Sequence, residues 1–176
     1  MKNVMSKKAL LVAVMALISL GVYAQHDHSN HGDKKKMAQH IEPVFKNKEV
    51  GSTYSHYIAL KDALVASQSG EVQKAAEKLK QSLESVKDAK TVQEEAGKIA
   101  SASNLDDQRK AFASLSKEMA VLVKANAPSK GEVYLDYCPM ANGNTGAYWL
   151  SSQREIKNPY FGDKMLKCGS VKETIK

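Results

Sequence analysis

SGEVQKAAEKLKQSLESV, residues 69–86, is the stretch on which the fold turns. Val72, Ala75, Ala76, Leu79, Leu83 and Val86 recur mostly at steps of three and four, so a helix gathers them on one face and leaves Lys, Glu and Gln on the other. Such a helix needs neighbours to cover its apolar side. Upstream, Tyr54, Tyr57, Ile58, Leu64 and Val65 make a second helical face, and Ser69-Gly70 is a break with Ser69 as the N-cap. Downstream, Thr91 and Glu94 have the spacing of a capping box ahead of Val92, Ala96, Ile99 and Ala100. Asn104 is a strong N-cap signal, with Asp106 and Asp107 in the positive first turn. Leu105, Phe112, Leu115, Met119 and Leu122 then carry a seam that Ala127-Pro128 ends. Short connections make such helices antiparallel neighbours. The expectation is a mainly α protein, a small antiparallel bundle of about four helices, beginning near residue 41. His40 and His56 fall in this part and read as surface or filler positions.

The chain has 176 residues and a net charge of +7. Residues 1–24 hold Lys2, Lys7 and Lys8 and no acid. Their basic start, apolar run and Val22-Tyr23-Ala24 end have the form of a secretory signal. Its loss leaves +4, with the remaining Lys spread among Asp and Glu, so a nucleic-acid partner is not expected. The apolar run is too short for a confident membrane anchor, and no stable insertion is expected after cleavage. The mature chain is expected to be exported and periplasmic. Residues 25–40 form a polar His- and Lys-rich leader, in which His26, His28 and His31 could gather a borderline metal ion weakly. Residues 41–176 are expected to form one domain. No glycine-rich phosphate loop is present.

Composition changes at Gly131. Residues 131–175 hold five of the ten Gly, six of the 11 aromatics and both Cys. Residues 133–137 alternate like a short strand, and residues 141–146 have turn chemistry. The rest lacks periodicity, so this C-terminal segment reads as loop-rich.

Its chemistry is two sulfur pairs, Cys138-Pro139-Met140 and Met165-Leu166-Lys167-Cys168. Thiolates and thioethers select Cu(I) or Ag(I) over hard cations. Met165 and Cys168 share a face if their turn is helical, and Trp149 could shield a bound ion or lie against it. The same residues admit another reading. Two Cys in an exported protein commonly pair, and a Cys138–Cys168 disulfide would close a loop worth roughly 3–4 kcal/mol. Met140 and Met165 would then fill gaps. No His precedes Cys138 within 80 residues, which leaves no nucleophile–base arrangement, so an enzyme is not expected.

The motifs CPMAN, GAYWLS, NPYFG and ML-x-CG across residues 134–175 resemble an exported bacterial domain family of unknown function. That family also occurs at the C-terminal end of periplasmic adaptor subunits of copper/silver-type heavy-metal efflux pumps. The likeness extends loosely into YIALKDALVAS, residues 57–67, and DDQRKAFASLS, residues 106–116. Residues 137–140 also resemble the Y-x-C-P-M core of small heavy-metal-binding domains on such pumps, although here Cys follows Tyr directly. The resemblance implies a helical domain with a Cys/Met site in a metal-handling context. It makes Cys138, Met140, Met165 and Cys168 the candidate ligands for Cu(I) or Ag(I), and an efflux adaptor or pump component the candidate partner. The alternative is a disulfide-stapled module, without metal, that docks through residues 158–162 and the aromatics around them.

Overall fold

A computed structural model describes residues 41–176. The signal over 1–24 and the leader over 25–40, with His26, His28, His31 and His40, lie outside the described residues.

Four helices follow one another: α1 (Lys48–Val65), α2 (Ser69–Ser82), α3 (Lys90–Ser101) and α4 (Leu105–Ala125). Each packs on the next through the stripe its periodicity marks. Tyr57, Leu60 and Leu64 of α1 have no exposed surface, and neither do Val72, Ala76 and Leu79 of α2, Ala96 and Ile99 of α3, or Phe112, Leu115 and Met119 of α4. The Asn104 cap is as expected: its side-chain oxygen accepts from the Asp107 N–H at 2.9 Å. Asn47 does the same for α1, accepting from Val50.

Two expected caps are different. Gln68 occupies the cap position of α2, so Ser69 is already helical, and its hydroxyl donates to the Ser103 carbonyl on the connection between α3 and α4. Helix α3 starts two residues earlier than the capping box requires, with Ala89 at the cap position, placing Thr91 inside the first turn, where it makes no cap hydrogen bond. Val86 is also past its helix. A 3-10 turn at Leu83–Ser85 ends α2, and Val86 is extended yet buried.

The C-terminal segment is more regular than its sequence suggests. One strand was expected, and three form: β1 (Val133–Cys138), β2 (Ala147–Ser151) and β3 (Ser170–Ile175), antiparallel in the order β2-β1-β3. Strand β2, AYWLS, is a short apolar run with no alternation to read, and β3, SVKETI, is mostly polar because it is an edge strand. A bulge at Lys172, between the Leu135–Glu173 and Asp136–Val171 pairs, shifts the β1–β3 register.

Sheet and helices are joined by an aromatic chain. Tyr57 stacks on Phe112 at 5.5 Å, Phe112 meets Tyr160 at 5.7 Å, and Tyr160 meets the edge of Trp149 at 6.0 Å. Hydroxyls continue the joint. The Leu150 N–H donates to the Tyr57 hydroxyl at 3.0 Å, and the Tyr160 hydroxyl donates to the Tyr148 carbonyl at 2.6 Å. Two backbone groups on the outer edge of β2 are thus paired by tyrosines, which closes that edge to another strand. Arg109 of α4 adds a clip, donating to Pro159 in the loop before β3 and to Leu64 and Ser67 where α1 ends.

Candidate functional site

Cys138 is the last residue of β1, paired across the ladder with Ala147 and fully buried. Cys168 arrives from the other side, on the loop leading into β3. Asn158 sets that loop: its N–H donates to the Leu166 carbonyl at 2.8 Å and its side-chain amide to the Cys168 carbonyl at 2.7 Å. Its side-chain oxygen accepts from Tyr160 N–H. Gly169 makes the approach possible. Its φ is +138°, and a Cβ there would sit 2.7 Å from the Trp149 ring and 2.9 Å from the Tyr137 carbonyl. Only glycine lets the chain run this close to the indole. On the β1 side, Asn142, Gly143 and Asn144 are all left-handed and turn the chain back into β2.

The result brings two sulfurs, 30 residues apart in sequence, to 2.6 Å. Both thiols are free in this structure. Their separation is well inside the roughly 3.5–4.0 Å of ordinary non-bonded contact. It is also too short for two ligands of one ion, because metal–thiolate bonds of about 2.3 Å place their sulfurs about 3.8–4.6 Å apart. A shared ion therefore requires the pair to open by more than 1 Å, on the order of the difference between these lengths. A disulfide requires only a small closing movement.

The neighbouring Cys138 sulfur, with burial adding, pushes the Cys168 thiol up to about 11. It stays protonated at neutral pH, so a metal ion would have to displace its proton.

The methionines are placed differently. Met140 is 47% exposed and lines a groove with Arg109, Lys110, Tyr160 and Phe161. Met165 is half-buried, and its carbonyl accepts the Cys168 N–H at 3.0 Å. The helical turn expected to align Met165 with Cys168 covers only Gly162–Lys164. Trp149 is fully buried against Gly169, next to the cysteine pair. Among the described residues no three His, Cys, Asp or Glu side chains form a metal-holding cluster.

The docking surface expected around residues 158–162 is not a surface. Asn158, Pro159, Tyr160 and Gly162 are buried, and only Phe161 is partly exposed. Their apolar rings and the Asn158 amide hold the loop to the core instead.

Asp136 was not singled out from the sequence. It lies on β1 at the same parity as Cys138, opposite Trp149, with no exposed surface. Neither carboxylate oxygen has a hydrogen-bond partner among the described residues. Burial raises its pKa to about 7, while Lys61 and the nearby Trp149 indole N–H pull it partly back. A charged residue at the Cys138 parity of VYLDYC was the available signal.

The fold class is a four-helix bundle carrying a small three-stranded antiparallel sheet at its C-terminal end. Residues 53–131 match the model of a family described as "Protein of unknown function (DUF3347)". The match runs along the helices and ends two residues before β1, leaving the cysteine pair outside it. No curated protein and no solved structure matches the chain. No helix of the described residues is long and apolar enough to cross a membrane.

Proposed function

We propose that this is an exported, periplasmic protein that handles soft metal ions, Cu(I) or Ag(I), through the Cys138/Cys168 pair. The pair is closed as a disulfide at rest and open to metal as the dithiol. The reading rests on one observation, the convergence of two distant sulfurs at 2.6 Å on a loop that Asn158 and Gly169 hold in place. Reduction by an external dithiol adds two electrons and two protons to the disulfide. Binding of one ion then releases up to two protons and leaves a thiolate pair to hold it. Met140 and Met165 flank the pair and complete the soft ligand set once it opens. The work so described is capture, or hand-over to an efflux adaptor or pump component, and involves no catalysis.

The short sulfur separation and the raised Cys168 thiol favour a second reading, in which the disulfide is permanent and the protein is a stapled interaction module. Competition for Cu(I) against a chromophoric chelator separates the two. The reduced protein should withdraw Cu(I), the oxidised protein should not, and Cys168→Ser should fail to withdraw it with or without reductant. Failure of the reduced protein to compete overturns the metal reading and leaves the staple.

A further inference from the structure

The face of the molecule between α4 and the sheet carries a groove of about 320 Å³. Its apolar lining is Ala120, Val121, Leu135 and Tyr148, and its rim carries Lys117, Lys124 and Lys172. Two of the five exposed large apolar side chains among the described residues lie here, Val121 at 62% and Tyr148 at 42%. Lys117, Val121 and Lys124 share one side of α4 by their spacing of four and three. Three cations face a single lining carboxylate, Glu173, which is already paired with Lys124 at 2.6 Å. Lys172 stands over the Tyr137 ring at 5.6 Å, and among the described residues Lys117 has no ion-pair partner.

We propose that this groove docks an acidic segment of a partner protein. One apolar side chain of that segment would seat between Val121 and Tyr148, with flanking carboxylates on Lys117 and Lys172. Charge complementarity selects this occupant. The chain's own residues 25–40 carry Lys34, Lys35 and Lys36 against Asp27 and Asp33, the wrong sign. A second copy would bring two lysine rims together. A membrane surface takes protruding apolar groups rather than a recess. The inference does not depend on the state of the cysteines.

The test is selection from a displayed library of random heptapeptides on the mature protein. Recovered sequences should carry acidic residues around a Leu or Phe, and their binding should weaken as salt rises. The double variant K117E/K172E should weaken binding at least tenfold while circular dichroism and Cu(I) competition stay unchanged. No enrichment, enrichment without acids, or indifference to the double variant overturns the proposal. So does binding to phosphatidylglycerol vesicles that needs the same lysines while peptides fail, or a dimer in sedimentation that V121E abolishes. A failure here with Cu(I) competition intact leaves the metal reading standing, and the reverse holds as well.

Discussion

The helices and the sheet are held by different physics. In α1–α4 the core is a set of interchangeable apolar side chains, Leu60, Leu64, Leu79, Ile99 and Leu115, whose requirement is only to be apolar and of suitable size. In the C-terminal segment the fixing contacts are individual. Tyr57 and Tyr160 each pair one backbone group of β2, Asn158 holds Cys168, and Gly169 clears Trp149. A bundle tolerates changes of shape because neighbours can shift to fill space. A segment pinned by single hydrogen bonds and one glycine has no such reserve. The cysteine pair sits in this second region, where sulfur positions are held rather than averaged.

The largest expected effect tests whether the sheet depends on the aromatic chain. Trp149→Ala removes its end and should cost about 3–5 kcal/mol, as other buried aromatic truncations do. Hydrogen exchange should quicken in β1–β3 before it does in α2 and α3. Uniform loss across the molecule would mean that the two regions unfold as one.

Removing the staple comes next. Cys138→Ser should lower the unfolding free energy by about 3 kcal/mol relative to the oxidised wild type, shifting the denaturation midpoint down, and reductant should do the same to the wild type. An unchanged midpoint in both would show that the thiols are unpaired in the purified protein.

Asp136 sharpens the comparison through pH. Its folded pKa of about 7 exceeds the ordinary value of 3.8. The folded state therefore binds its proton more tightly, a contribution to stability that is complete below about pH 4 and is lost as pH rises through 7. Asp136→Asn should remove that decline and stabilise the protein at pH 8 by about 2 kcal/mol, the full conversion of the shift being reduced by water entry and local relaxation around the charged carboxylate. Denaturation at pH 5 and pH 8 checks it, and parallel curves for the two proteins would refute it.

The smallest effect belongs to the helices. Asn104→Ala removes one cap and should cost about 1 kcal/mol in urea unfolding. It should leave exchange in the sheet unchanged.

The division between what could be read and what could not follows the same line. Helical periodicity is local, so Val72, Leu79, Phe112 and Met119 announced their buried faces, and Asn104 announced its cap. The caps at Ser69 and Thr91 failed by one and two residues because boundaries depend on how the preceding connection packs. Strands β2 and β3 were missed because an edge strand is defined by its partner, and Leu135 finds Leu150 and Glu173 only after the chain has folded.

The sequence by itself determined the four amphipathic helices, the change of character at Gly131 and the identity of the sulfur-bearing residues. Each of these depends on residue type and short spacing. The tertiary structure alone decided that Cys138 and Cys168 meet, that residues 158–162 turn inward, and that Asp136 is buried without a hydrogen-bond partner. Those outcomes depend on a loop crossing 30 residues of chain. Its path is set by contacts from α1, α4 and β2 that no local pattern encodes.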